Sequence, residues 1–198
     1  MSDTAQDPII NIRGEKVALG PLNPSMLPSF TRWINDFATL RTLGLDPRPM
    51  TAAEEERWYQ QATSAEDIAF FAIYDLSDMA LVGSTNLHSI SARHKTCEVG
   101  IAILDPERRG RGLGSEAVQL ITDYAIHALS MHNVQLSVLA FNEAGIRAYR
   151  KAGFQEYGRR REAILHNRQR WDIVYMYVLA SEWESPVVRE MMEPDAPR

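Results

Sequence analysis

Cysteine is almost missing: the 198 residues hold a single one, Cys97. An internal disulfide is therefore excluded, and a lone thiol agrees with a reducing compartment. Cationic excess is missing too. Lysines and arginines number 21 against 26 aspartates and glutamates, a formal charge of −5, whereas broad electrostatic binding of nucleic acid needs a basic face. No run of about 18 apolar residues occurs, so no membrane span or membrane partner is expected. The opening Met1-Ser2-Asp3-Thr4-Ala5-Gln6-Asp7-Pro8 lacks the basic and then apolar segments of a signal peptide, which makes the cytoplasm the expected location. Repeats and low-complexity stretches are absent, and no His/Cys/Asp/Glu cluster has metal-ligand spacing, so no metal is expected. What is present is the composition of a soluble globular domain, 45% hydrophobic and 24% charged. The length suits one domain with a core of ordinary size.

Taken in order, Ile12 to Leu22 has the residues of a first strand, ended by Pro21. From Pro24 the apolar spacing becomes helical through Met26, Leu27, Phe30, Trp33, Ile34 and Phe37. A loop at Asp46-Pro47-Arg48-Pro49 leads to Thr51-Ala52-Ala53-Glu54, a capping box opening a helix that runs to about Ala62. Strands follow at Ile68 to Leu76 and Ala80 to Ile90, the second with Gly83 marking a bulge, and then at Cys97 to Leu104. A wide apolar stripe from Ala117 to Leu129 predicts a long helix. Val134 to Leu139 is a strand, and Asn142 to Ala152 a helix stopped by Gly153. Two long strands surround His166-Asn167-Arg168. Beyond Trp183, Pro186, Pro194 and Pro197 predict a mobile tail. The reading thus has a flexible segment over 1–11, one domain over 12–183 and a tail over 184–198. A strand–helix–strand unit at its centre favours an α/β arrangement with mixed strand directions.

The segment between the central strand and the long helix carries the chemistry. It reads Asp105-Pro106-Glu107-Arg108-Arg109-Gly110-Arg111-Gly112-Leu113-Gly114-Ser115. The first amides of a helix have no intrahelical partner, glycines let backbone approach a ligand, and arginines suit phosphate. The nucleotide-triphosphate loop is disfavoured because its lysine is missing, and the spacing of Gly110, Gly112 and Gly114 departs from the dinucleotide fingerprint.

Arg109-Gly110-Arg111-Gly112-Leu113-Gly114 does match the Arg/Gln-x-x-Gly-x-Gly/Ala pattern of the GNAT superfamily of N-acetyltransferases. Asn142-Glu143-Ala144-Gly145-Ile146-Arg147-Ala148-Tyr149-Arg150-Lys151-Ala152-Gly153-Phe154 resembles that superfamily's second signature, with Gly145 where a larger residue is common. Trp33 to Asp36, Arg161-Glu162, His166 to Arg168 and Asp172 to Met176 are similar to the branch that acts on ribosomal-protein N-termini and polyamines. Gly20 departs from that branch, which often has arginine there. The resemblance covers about Ile12 to Trp183. It implies an α/β (α+β) fold with a central mixed, mostly antiparallel sheet splayed at its central strands and helices on both faces.

It also implies acetyl-coenzyme A as cosubstrate and a primary amine as acceptor, either a protein N-terminus, a polyamine or another small amine, with direct attack in a ternary complex. Cofactor contacts would fall on the amides of Arg109, Gly110, Arg111, Gly112, Leu113, Gly114 and Ser115, on backbone groups of Ile101, Ala102, Ile103 and Leu104, and on Asn142 and Tyr149. One strand amide would stabilise the oxyanion, a contribution of about 3–4 kcal/mol in well-studied cases. Tyr149 occupies the position of the general acid, with an aromatic ring packed on a helix face as the plain alternative. Asn142 could instead cap the following helix. Glu98 is the first candidate to deprotonate or bind the amine, against an exposed strand glutamate as the plain alternative. His88, His94 and His166 are further candidates for the base but read as surface residues, and Cys97 reads as inert. The branch allows a homodimer. A different class of reading is a catalytically silent acetyl-coenzyme A sensor.

Overall fold

The computed structural model describes residues 7–45, 47–65 and 67–195. The first strand expected over Ile12 to Leu22 is instead a small hairpin, β1 (Ile12–Arg13) and β2 (Val17–Gly20). Gly14 N–H donates to Val17 O at 2.9 Å, closing the turn between them. The next helix also breaks where the sequence pattern continues. Asn23 caps a short 3-10 turn, α1 (Leu27–Ile34) follows, and the chain then restarts as α2 (Phe37–Leu40). Asn35 causes the break: its Nδ2 donates to Thr31 O and Met50 O, both at 2.8 Å, and Asp36 accepts from Ala38 N–H at 3.1 Å as a new N-cap. Helix α3 (Ala52–Ser64) opens with the expected capping box, Glu54 accepting from Thr51 N–H at 2.8 Å. In the loop before it, Asp46 lies outside the described residues.

The remaining strands are β3 (Ala69–Asp75), β4 (Ala80–Ser91), β5 (Thr96–Ile103), β6 (Asn133–Leu139), β7 (Gln155–His166) and β8 (Gln169–Leu179). Together the described strands make an eight-stranded sheet in the order β1-β2-β3-β4-β5-β6-β8-β7. Every pairing is antiparallel except β5 with β6. A parallel pair needs a crossover, and α4 (Leu113–Asp123) supplies it. Beside Gly83 the β3–β4 register skips a residue, giving the bulge read from the sequence.

One sheet face is covered by α4, whose Val118, Leu120 and Ile121 pack with Val17, Leu19, Val82, Leu87 and Val134. On the other face Met26, Phe30 and Ala62 cover Ala72 and Tyr74. The fold is therefore α/β with helices on both faces of a mostly antiparallel sheet. The long helix does not stay α-helical to Ala128. It widens into a π turn over Tyr124–Ala128, closed by Leu129 N–H to Tyr124 O at 3.2 Å.

Helix α5 (Glu143–Lys151) ends at Gly153, whose φ of 99° is the left-handed conformation that glycine adopts without a β-carbon clash. Past Trp183, where the sequence predicts a mobile tail, the chain is anchored instead. Trp183 Nε1, Ser185 Oγ, Val187 N–H and Val188 N–H all donate to the buried carboxylate of Asp123, at 3.0, 2.9, 3.0 and 2.6 Å. Val188 then starts a short helix, α6 (Val188–Met191), and its side chain is fully buried. The packed domain thus extends beyond 183. At the other end Asn11 N–H donates to Leu19 O at 2.8 Å, so the expected flexible segment is tied to β2 by its last residue; residues 1–6 lie outside the described residues.

Candidate active site

The pairing of β5 with β6 covers only Thr96 with Asn133, Cys97 with Val134 and Glu98 with Gln135. Both strands continue, to Ile103 and Leu139, without pairing. This fork is the expected splay, and it leaves an unpaired backbone edge inside the sheet. On the β4 side, Leu104 N–H donates to Val82 O at 2.9 Å and Gly100 O accepts from Thr85 Oγ1 at 2.9 Å. Backbone groups alternate in direction along an antiparallel ladder. Gly100, Ala102 and Leu104 therefore face β4, while Val99, Ile101 and Ile103 face the gap. Of the four strand residues expected to hold a ligand, Ala102 and Leu104 are corrected: their backbone groups are turned to β4. The carbonyl of Val99 also faces the gap.

At the end of β5, Asp105 caps a 3-10 turn over Pro106–Arg108. Gly110 and Gly112 follow with φ of 77° and 86°, and Gly112 is the N-cap of α4. These left-handed residues turn the chain so that the first amides of the helix open onto a cavity. The three arginines split. Arg108 is tied to Asp75 at 2.8 Å and to Asp78 at 2.5 Å, a structural pair. Arg109 turns inward: its Nε donates to Ile103 O at 2.9 Å, and its Nη2 to Thr39 Oγ1 at 2.9 Å and Leu104 O at 3.2 Å. Its guanidinium thereby fixes the end of β5 against α2 and is not free for a ligand. Arg111, on the cavity wall, makes no ion pair among the described residues.

The cavity measures about 910 Å³. Its lining includes Lys16 and Gly110 to Ser115, the strand residues Val99 to Ile103, and Leu43, Gly44, Leu139, Ile164 and Ile173. Helix α5 contributes Asn142, Ala144, Gly145, Ala148 and Tyr149. The Tyr149 ring meets Phe154 edge-on at 6.4 Å, and burial pushes its phenol up to about 12. The phenol therefore carries its proton throughout the neutral range, as a proton donor must. Asn142 takes the capping role weighed for it and borders the cavity as well. Its Oδ1 accepts from Gly145 N–H at 2.9 Å as the cap of α5. A β-carbon at 145 would lie 2.7 Å from Asn142 Nδ2, so a larger residue there would shift the Asn142 side chain.

Glu98 is the last paired residue before the fork, in register with His88 on β4 and Gln135 on β6. Cα partners share a sheet face, so Glu98, His88, Gln135 and Tyr177 form one row. Tyr157 joins it by donating from its hydroxyl to Gln135 Oε1 at 3.2 Å and packs on Tyr175 and Tyr177 at 6.0 and 5.6 Å. Burial, followed by the nearby charge of Glu98, raises the Tyr157 phenol. Glu98 does not line the cavity that holds Tyr149. The structure places the two candidates at the fork and in the cavity wall, rather than in one pocket. This aromatic row was not foreseen; the odd-numbered alternation of Gln135, Tyr175 and Tyr177 was its only sequence signal. His94 lies in the exposed β4–β5 turn, and His166 stacks on Phe141 at 4.9 Å. Cys97 is 1% exposed, and burial pushes its thiol up to about 12.

The chain matches the family profile described as Acetyltransferase (GNAT) domain over residues 16–155. It is 30% identical over 138 residues to the "Probable N-acetyltransferase YjcK" of Bacillus subtilis (strain 168), covering 69% of this chain and 68% of that protein. Spermidine N(1)-acetyltransferase of Escherichia coli (strain K12) is 28% identical over 136 residues, covering 65% of this chain and 73% of the other. Among solved structures, spermidine N-acetyltransferase from Vibrio cholerae in complex with CoA and spermine is similar with a TM-score of 0.78 and 24% identity. The match covers 85% of this chain and 98% of that one.

Proposed function

This chain belongs to the GNAT acetyltransferase family, and from that premise we propose that it transfers the acetyl group of acetyl-CoA to a primary amine by direct attack within a ternary complex. The observation that carries the reading is the fork: an unpaired strand edge faces a cavity whose lining includes helix amides and a protonated phenol. The residues present suit a long, phosphate-bearing, amide-containing donor. Acetyl-CoA supplies an activated thioester when bound.

The amides from Gly110 to Ser115 are the group that holds phosphate, through unpaired donors and the positive end of the α4 dipole. Val99 N–H is used in the Glu98–Gln135 bridge and Ile103 O is taken by Arg109, which leaves Val99 C=O, both backbone groups of Ile101 and Ile103 N–H to pair with the amides of the donor's arm. One of those N–H groups is positioned to stabilise the oxyanion. Tyr149 gives its proton to the departing sulfur. Glu98, with the tyrosine row around it, receives the cationic amine and takes its proton directly or through water. Spermidine acetyltransferases among the relatives make a polyamine one acceptor in this reading, beside a protein N-terminus or another small amine.

The test is release of free thiol from acetyl-CoA against a panel of polyamines, short peptides with free N-termini and small amines. Saturable release with at least one amine, with intersecting initial-rate lines, is expected. Parallel lines would overturn direct attack. Tight coenzyme A binding without thiol release for any amine would overturn catalysis in favour of the sensor.

A further inference from the structure

The turn between β1 and β2 belongs to neither signature, yet it is held against the cradle by an unusual clamp. Glu116 projects from the first turn of α4, where an acidic side chain ordinarily serves its own helix. Here its carboxylate accepts from Glu15 N–H at 2.6 Å, Lys16 N–H at 2.8 Å and Val17 N–H at 3.0 Å. Gly14 makes this close approach feasible, since a β-carbon there would lie 2.7 Å from Glu116 Oε1. Three amide donors on one carboxylate fix the turn's backbone relative to the helix end.

The clamp determines where Lys16 goes. Its Nζ stands 3.5 Å from the place a β-carbon of Gly112 would occupy, directly at the N-cap of α4. Lys16 lines the main cavity beside the glycine turn and also an adjoining hollow of about 390 Å³, which it shares with Arg111. Of the two carboxylates that line this hollow, Glu15 is exposed and makes no ion pair among the described residues, and Asp75 is already engaged. Asp75 pairs with Arg108, and the Glu116 carboxylate is taken by backbone amides. Lys16 makes no ion pair among the described residues. An ammonium with no carboxylate partner, facing free helix amides across a rigid turn, is arranged to meet phosphate.

We infer that Lys16 is a phosphate ligand for the donor and that Glu116 is the residue that positions it, an inference that rests on the acetyl-CoA reading above. The phosphate is either the pyrophosphate or the 3′-phosphate of coenzyme A; both present the same charge to the lysine. The chain uses a cation from its first hairpin, about a hundred residues before the cradle, to complete the site.

Calorimetric titration of coenzyme A and of 3′-dephospho-coenzyme A into the wild type, Lys16→Met, Lys16→Arg and Glu116→Ala tests this. Lys16→Met should bind coenzyme A about tenfold more weakly, the loss of one charge-assisted contact, and Lys16→Arg should recover most of that. A loss that persists with 3′-dephospho-coenzyme A assigns the lysine to the pyrophosphate, and one that vanishes assigns it to the 3′-phosphate. Glu116→Ala should speed amide exchange at 15–17 and weaken coenzyme A binding while adding little to Lys16→Met in the double variant. Lys16→Met binding both ligands within twofold of wild type would overturn the inference while leaving the acetyl-CoA reading intact. Failure of the wild type to bind coenzyme A would overturn that reading and the inference with it.

Discussion

Removing the Tyr149 hydroxyl tests the proposed chemistry with the least disturbance to the fold. Tyr149→Phe deletes one oxygen and keeps the ring and its edge contact with Phe154. Burial holds the phenol at about 12, so below pH 11 it is almost wholly protonated. A positioned general acid is worth roughly 10²–10⁴ in rate, or about 2.7–5.4 kcal/mol. The variant's kcat should therefore fall at least about a hundredfold, while coenzyme A affinity stays within about twofold. The deficit should shrink for thioesters of more acidic thiols, which leave without a proton. Steady-state thiol release over a leaving-group series, with binding measured separately, reads both effects. The pH sign is also fixed. The folded pKa is raised above the ordinary tyrosine value of 10, so between pH 10 and about 12 the unfolded chain loses the proton first and stability falls as pH rises. Tyr149→Phe should lack that part of the alkaline slope. A kcat within threefold of wild type, or equal losses in kcat and affinity, would refute the acid role.

Three further outcomes are expected. Gly145→Ala puts a β-carbon 2.7 Å from Asn142 Nδ2; the gain of about 0.5–1 kcal/mol in helix propensity and the loss of about 1 kcal/mol of cap nearly cancel. Its Tm should hardly move while the KM for acetyl-CoA rises, and an unchanged KM would remove Asn142 from the site. Asp123→Ala strands four donors around a fully buried position and should cost at least about 3 kcal/mol, read by calorimetry as a Tm lower by about 6 °C or more. Deleting the residues from 184 should destabilise similarly, and a Tm loss under about 2 °C in both would refute the anchoring. Cys97, 1% exposed with its thiol pushed up to about 12, should resist alkylation in the folded protein and react on unfolding, as counted by a thiol-specific chromophore.

Local rules made much of this legible in the sequence. The capping box of Thr51 and Glu54, the glycine stop at Gly153 and the glycine turn before Leu113 depend on residues within one helical turn of each other. What escaped depends on distant partners. Alternation of Cys97, Val99, Ile101 and Ile103 tells which side chains are buried, but the direction of their backbone groups is set by pairing with β4. The splay itself came from family resemblance, since nothing in the order of residues marks where pairing stops. Arg109 beside glycines looks like a phosphate ligand; the carbonyl of Ile103, left free by the splay, redirects it together with Leu104 O and the Thr39 hydroxyl. The prolines after Trp183 suggest mobility until Asp123, more than sixty residues earlier, is seen gathering that segment's donors. Glu116 splits the first strand across a comparable distance.

Helix α4 is fastened at both of its ends. Glu116 rivets its start to the first hairpin, and Asp123 rivets its finish to the C-terminal turn. Arg108 and Arg109 brace the approach to it. Helix α5, which also lines the cavity, is held by less among the described residues: the exposed Arg150–Glu156 pair at 3.3 Å ties it to β7, and the β7–β8 register slips at two places, between Glu156 and Gly158 and between Arg160 and Ile164. The cavity is thus a vice with one fixed jaw and one adjustable jaw. On the acetyl-CoA reading the fixed jaw is the one that holds the donor's phosphates. The adjustable jaw carries Tyr149 and adjoins the β7–β8 hairpin, so on the same reading accommodation of different acceptors falls to the side of the molecule that can give.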